Sequence, residues 1–227
     1  MLCPYWQIPR GIGNGGLRMN LLKAAYFDDQ VEAPWAALEY GAAEGDKVQR
    51  LLHDGTIAPG QWILEPGCGT GRLTALLATA VGDSGSVVAL DISARMVQAA
   101  RERLAGRANV QVLHAALEDF RGATRRFDRI VCHQVFPHFD DPAVAVRRMA
   151  DLLAPSGLVV VAHFINVAEV NDRHRKAGTA VARDRLPGPA KMRRLFATAG
   201  LVVDVLTDNA LGYFLRAVPR DGAANGR

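Results

Sequence analysis

Cysteine is scarce in this chain. Its three residues, Cys3, Cys68 and Cys132, form no C-x-x-C pair. An odd and widely spaced set argues against a disulfide framework and fits a reducing, cytoplasmic compartment. Long apolar runs are lacking as well. None approaches the roughly 18–20 residues that span a bilayer, so no membrane partner is expected. Residues 1–18 carry Pro4, Pro9 and four glycines where a secretion signal needs an apolar stretch. They read as a flexible arm, residues 1–19, with Met19 available as an alternative start. Aromatic residues make up 7% of the chain and do not interleave with its cations. That argues against nucleic acid as a partner.

Charge of either sign is in small excess only. Twenty-seven Lys and Arg face 23 Asp and Glu, for a net +4. The cations are dispersed apart from one concentration: Arg173, Arg175, Lys176, Arg183, Arg185, Lys191, Arg193 and Arg194. It reads as a solvated helical face, or as a rim that attracts an anionic substrate.

What is present is apolar residue enough for a full core, 49% of 227 residues, which suits one domain. Apolar runs alternate with helical spacing and predict a parallel sheet covered on both faces. Strands are expected at 61–66, 86–91, 109–115, 127–133 and 157–164. Helices are expected at about 71–81, 93–104, 140–154 and 189–199, the last ended by Gly200 in a left-handed cap. Runs at 201–206 and 213–218 suggest an antiparallel hairpin around Asp208, Asn209 and Gly212. Residues 20–53 show helical spacing, with Pro34 suited to a first turn. The Gly/Ala-rich tail, 219–227, reads as disordered. The fold class is therefore α/β: a doubly wound, mostly parallel, seven-stranded sheet with a C-terminal antiparallel hairpin.

One stretch carries most of the chemistry. Trp62-Ile63-Leu64-Glu65-Pro66 is a buried strand that runs into Gly67-Cys68-Gly69-Thr70-Gly71 and then a helix. Glycines there let the backbone pass close to a bound molecule. A second strand, Val87-Val88-Ala89-Leu90, ends in Asp91, placed to accept hydrogen bonds from a ribose diol. A pyrophosphate-binding turn needs G-x-G-x-x-G with helical N–H groups aimed at the phosphates. The spacing here is G-x-G-x-G behind an acid. Glu65 would repel a pyrophosphate and suit a cationic ligand. An NAD-dependent oxidoreductase is the competing class on these residues.

With Phe127-Asp128 and Leu153-Ala154-Pro155-Ser156-Gly157 in register downstream, the chain resembles the class I S-adenosylmethionine (SAM)-dependent methyltransferases over residues 20–218. The resemblance implies SAM as cofactor. It places the backbone of Gly67, Cys68, Gly69 and Gly71 under methionine and ribose, Glu65 on the ammonium, and Asp91 on the ribose hydroxyls. Ile92 and Met96 offer apolar contact to adenine, and Leu117, Glu118 and His133 complete the cofactor set. Ala116 stands where the family usually has an Asp for the adenine amine, leaving that contact to Glu118 or to backbone N–H groups. The N-terminal helices, 20–53, would form a lid, with Phe27-Asp28-Asp29 and Trp35 over the cofactor or in ordinary packing. Tyr26, Tyr40 and Tyr213 are candidates for the pocket wall.

The acceptor side is less usual. His133 and His138 follow the fourth strand, His163 ends the fifth, and Asn171 and His174 share one helical face at i and i+3. Val135-Phe136-Pro137-His138-Phe139, Asn171-x-x-His174 and Asp184-Arg185-Leu186-Pro187 together resemble one subgroup of these methyltransferases. His138, His163, His174 and Asn171 are the candidate catalytic residues. A neutral imidazole could act as general base. The alternatives are a metal site built from His138, His163 and His174, or polar filling between loops. The activity implied is SN2 methyl transfer to a small-molecule acceptor by a monomer or homodimer. Two other readings stay open: cyclisation of SAM itself with release of methylthioadenosine, and a SAM-binding module without catalysis.

Overall fold

A computed structural model of the protein describes residues 19–121 and 126–220. The expected arm falls almost wholly outside these residues, as do Cys3 and positions 221–227 of the tail. Three helices come first: α1 (Leu21–Asp29), α2 (Pro34–Ala37) and α3 (Ala42–Asp54). The alternating part follows as β1 (Trp62–Pro66), α4 (Arg72–Val81), β2 (Ser86–Asp91), α5 (Ala94–Arg103), β3 (Val110–His114) and β4 (Phe127–His133). It continues through a 3-10 turn at Phe136–His138, α6 (Pro142–Leu152), β5 (Leu153–His163), α7 (Val167–Lys176) and α8 (Pro189–Thr198). The chain closes with β6 (Leu201–Asn209) and β7 (Gly212–Pro219).

The seven strands lie in the order β3-β2-β1-β4-β5-β7-β6. The first five are parallel, and β7 runs antiparallel to both β5 and β6. The order reverses between β1 and β4, and in such sheets ligands bind at that switch point, outside the carboxyl ends of the strands. The register brings Glu65, Asp91, His133 and His163 to that same edge.

Central strands buried on both faces explain the continuous apolar runs. On one face Leu64, Ile130, Val161 and Leu215 pack with Met149 of α6 and Met192 and Phe196 of α8. On the other, Ile63, Val87, Val131 and Val160 pack with Val48 and Leu51 of α3 and Leu73 and Leu77 of α4. Each such side chain contributes about 1.5–3 kcal/mol on burial. Ser93, Asp141 and Asn166 cap α5, α6 and α7 through side-chain oxygens. Asp128 ties the start of β4 to β1 by accepting from the Trp62 N–H at 2.8 Å.

The structure differs from the pattern reading at three boundaries. Helix α6 stops at Leu152, and β5 starts at Leu153 rather than 157, because Leu153 already pairs with Phe127. Gly157 allows this doubling back: a Cβ there would lie 2.9 Å from the Phe127 carbonyl oxygen. The hairpin strands run longer than expected, to Asn209 and Pro219. The Arg220 N–H then donates to the Gly200 oxygen at 2.9 Å, so the first two tail residues belong to the sheet edge. No helix among the described residues is long and apolar enough to cross a membrane.

Candidate functional site

The turn after β1 is built from left-handed backbone. Gly67, Gly69 and Gly71 have φ of +71°, +53° and +80°, a region that costs an L side chain about 1–2 kcal/mol. The N–H groups of Gly67 and Cys68 both donate to the Leu90 oxygen, at 2.7 and 2.9 Å. A Cβ at Gly67 would meet Val135 Cγ2 at 2.2 Å, whereas one at Gly69 would meet nothing within 4 Å. Gly67 therefore admits the β4 loop, and Gly69 faces open space. Gly71 has a third role and is not in the cavity wall among the described residues. It is the N-cap of α4, and a Cβ there would press on Leu104 and Ala100 of the α5 region. Its glycine serves close helix packing rather than the ligand.

Two buried acids stand beside this turn. Asp91 accepts from the Gly69 N–H through one oxygen and from the Ser93 N–H through the other, both at 2.8 Å. Burial raises its pKa against those bonds. Glu65 is 2% exposed and accepts one hydrogen bond, from Thr74 Oγ1 at 2.6 Å. Burial pushes it from its ordinary 4.5 up to about 8, and the Asp91 charge adds to the effect. Both acids line one cavity of about 800 Å³ at the switch point. Neither acid forms a salt bridge among the described residues, and a buried acid of that kind is poised for a cation brought by a ligand.

Cys68, Ile92, Met96, Leu117, Glu118 and His133 line the same cavity, as does Ala116. The lid candidates Asp28 and Trp35 and the pocket candidate Tyr40 are tied down by Arg72, Ser93 and Arg95, which carried no sequence signal. Arg72 stacks on the Tyr40 ring, 3.9 Å from its centroid, and its guanidinium donates to the Trp35 oxygen. Asp28 of α1 accepts from Ser93 Oγ at 2.5 Å and from the Arg95 N–H at 3.0 Å. Thr70 donates to the Ala36 oxygen. The N-terminal helices are thus stitched over the glycine turn and the start of α5, and Tyr26, Phe27 and Trp35 reach the cavity wall. Tyr213 does not.

His133, His138, His163 and His174 all line the far side of the cavity. His133 packs on Phe164 with ring centroids 4.4 Å apart. Burial holds its pKa down at about 3 and that of His163 well below the ordinary imidazole value. Both rings are neutral near pH 7. His163 Nε2 and the neighbouring Tyr213 hydroxyl are buried without a partner among the described residues. His138 and His174 stack obliquely, 4.8 Å apart. Asn171 lies on the same face of α7 but does not reach the cavity. Its amide is spent on the Leu186 backbone, donating at 3.1 Å and accepting at 2.8 Å, so the structure gives it a clasp rather than a place among reacting groups.

Near His138 lie two charged side chains: Asp184, the first residue of the Asp-Arg-Leu-Pro motif, and Lys23, which carried no motif signal. Asp184 contacts His138 Nδ1 at 2.7 Å and Lys23 Nζ at 3.0 Å. Lys23, 6% exposed, also pairs with Asp140 at 3.0 Å and donates to the His138 oxygen at 2.9 Å. Among the described residues no group of three or more His, Cys, Asp or Glu could hold a metal ion. His138, His163 and His174 do not form such a group. In the basic concentration, Arg175 and Lys176 pair with Asp172, and Arg173 reaches the cavity rim.

A family model described as "Methyltransferase domain" matches residues 63–157. A demethylmenaquinone methyltransferase of Staphylococcus aureus is 30% identical over 112 residues, which is 49% of this chain and 46% of the relative. The chain thus spans about half the length of the curated relatives it matches. Among solved structures, a SAM-dependent methyltransferase from Aquifex aeolicus aligns with a TM-score of 0.62 at 18% identity, covering 86% of this chain and 97% of that one. A magnesium protoporphyrin IX methyltransferase from Synechocystis, solved with SAM, gives 0.63 at 20% identity over 91% and 100%. At such identities the likeness establishes the fold: the seven-stranded α/β architecture these methyltransferases share.

Proposed function

We propose that the protein is a SAM-dependent methyltransferase acting on a small-molecule acceptor. The observation that carries this is the pairing of two buried carboxylates, Glu65 and Asp91, neither in a salt bridge among the described residues, with a left-handed glycine turn on one cavity at the switch point. A dinucleotide pyrophosphate would meet Glu65; an ammonium and sulfonium would be stabilised by it. Gly67, Cys68 and Gly69 supply the close backbone, Asp91 the acceptor for ribose hydroxyls, and Ile92, Met96 and Leu117 the apolar wall for adenine. The Ala116 position leaves the adenine amine to Glu118 or the backbone.

Bound there, SAM supplies an electrophilic methyl group, which passes to the acceptor by SN2 displacement as the carbon–sulfur bond breaks. The chain's own contribution is alignment and exclusion of water. The stitched lid, through Asp28, Thr70 and Arg72, closes the cofactor side. The histidine wall offers imidazoles as proton acceptors or acceptor contacts, with His138, His163 and His174 the candidates. The family match over residues 63–157 and the methyltransferase relatives support the same reading. The test is turnover of SAM against a small-molecule extract, followed by mass spectrometry. S-adenosylhomocysteine formed only when extract is present is expected. Methylthioadenosine formed from SAM alone would overturn methyl transfer in favour of cyclisation.

A further inference from the structure

The cluster of Lys23, His138, His174 and Asp184 has an internal logic that the cofactor site does not explain. Asp184 sits on the segment between α7 and α8, and that segment is held by two side chains of α7. Asn171 clasps the Leu186 backbone from both sides. His174 Nδ1 meets the Asp184 carbonyl oxygen at 3.2 Å, and Arg185 donates to the same oxygen at 2.9 Å. With its backbone fixed, the Asp184 side chain reaches His138 and Lys23. Burial would raise this carboxyl, but the bonds from His138 and Lys23 outweigh burial and hold it below its ordinary value. It is therefore ionised near pH 7 and can only accept. The 2.7 Å contact then requires a proton on His138 Nδ1. In the neutral ring Nε2 is left as a bare lone pair, with no protein partner among the described residues, on a side chain that lines the cavity.

We propose that Asp184 positions His138 as the proton acceptor of this cavity, serving an acceptor molecule that reacts through a hydroxyl on an apolar or aromatic skeleton. The walls around His138 support the skeleton: Phe27 packs edge-on at 5.0 Å, with Val170 and Val181 nearby in the lining. The charges support the proton. Lys23 with Asp140 and Asp184 carries one negative charge in excess, and an imidazolium at His138 brings the cluster to neutrality. The other titratable or charged groups facing this end are His163 of β5, His174 and Arg173 of α7, and Glu118. A hydroxyl gains most from such a base, because a phenolic proton titrates near 10, whereas a thiol ionises closer to neutrality unaided. In the step, the hydroxyl proton passes to Nε2 and the oxygen pair forms the bond to the methyl carbon. The carbon–sulfur pair leaves with sulfur as S-adenosylhomocysteine. Asp184 is a positioning residue, and Asn171 and His174 hold the segment that delivers it.

This inference rests on the methyltransferase reading, and the experiment separates the two. Histidine nitrogen correlation spectra of the SAM-loaded wild type should show His138 protonated on Nδ1 alone. In Asp184→Asn the amide can donate, and the proton should move to Nε2. A His138 signal with Nε2 protonated in the wild type overturns the proposal. In parallel, phenol, catechol and 2-naphthol are offered beside aniline, benzylamine and thiophenol. Methyl ethers are expected. Product on amines or thiols only, or none on any hydroxyl, overturns the acceptor class. Asp184→Asn should lower ether formation about 10²–10⁴-fold and displace the ascending limb of the pH profile. Its SAM affinity should change by less than about threefold. Thermal melting checks that it folds, and His138→Gln, which leaves the carboxylate in place, should abolish the limb. Failure of the wild type to bind SAM sinks the methyltransferase reading instead, whatever tautomer His138 shows.

Discussion

Replacing Glu65 with Gln should make the ligand-free protein more stable and its cofactor binding worse. Glu65 is buried with one hydrogen bond, from Thr74, and titrates near 8 in place of 4.5. A folded-state pKa raised for an acid means that the native protein binds the extra proton. The stability attached to this group is full below pH 4.5 and is lost as pH rises toward 8. At about 1.4 kcal/mol per tenfold in ionisation, the loss by pH 8 reaches about 5 kcal/mol. Gln removes that penalty but buries an amide donor without an assigned partner, which costs about 1–3 kcal/mol. The net gain at pH 8 is about 2–4 kcal/mol, or a rise in Tm of at least about 4 °C. Near pH 4.5 the penalty is absent and the amide cost alone remains, so the variant should be about 1–3 kcal/mol less stable there. For binding, the carboxyl is ionised in roughly one molecule in ten at pH 7. Pairing with the SAM ammonium should release that proton, so affinity should rise about tenfold per pH unit between pH 6 and 7.5. Glu65→Gln should lose this dependence and bind about 10–100-fold more weakly at pH 7.5. Melting by calorimetry and SAM titration in two buffers of different ionisation enthalpy read both effects. A variant that melts lower at pH 8, or that keeps the wild-type pH slope, would refute the reasoning.

Three further outcomes follow from geometry. Gly69→Ala should keep its fold, losing about 1–2 kcal/mol for a left-handed alanine, while SAM affinity falls at least tenfold; Gly67→Ala should lose fold and binding together, because its Cβ meets Val135 at 2.2 Å. Paired melting and binding curves distinguish them, and equal behaviour of the two would refute the assignment. Asp28→Ala should cost about 1–2 kcal/mol at most, yet speed proteolysis near α1 and SAM release severalfold, since Asp28 ties the lid to Ser93 and Arg95; an unchanged off-rate would remove the lid role. Tyr213→Phe removes a buried hydroxyl that has no partner among the described residues and should leave Tm unchanged or raised, a fall of more than about 4 °C being contrary.

The parts of this molecule that were readable from sequence are those where a local backbone need selects a residue type. Left-handed turns select Gly67, Gly69 and Gly200, and doubly buried strands select the unbroken apolar runs of β1, β2 and β4. Spacing could not separate a glycine that faces a ligand from one that lets helices approach, which is why Gly71 looked like Gly69. The shared face of Asn171 and His174 and the Asp184-Arg185-Leu186-Pro187 motif were each legible, but their pairing was not, because those contacts depend on how a loop folds back. Lys23 and His138 meet across 115 residues, and nothing in the local pattern of either announces the other. The hairpin ran past its expected ends because the sheet edge, rather than the composition of Pro219 and Arg220, decides where pairing stops.

The most direct measurement is a crystal structure grown with S-adenosylhomocysteine. The account predicts the ribose diol on the Asp91 carboxylate, the amino group at Glu65 and the chain of the ligand over Gly67 and Gly69, with the thioether facing the histidine wall. A ligand bound elsewhere, or a cavity that takes NAD and refuses S-adenosylhomocysteine, would contradict it.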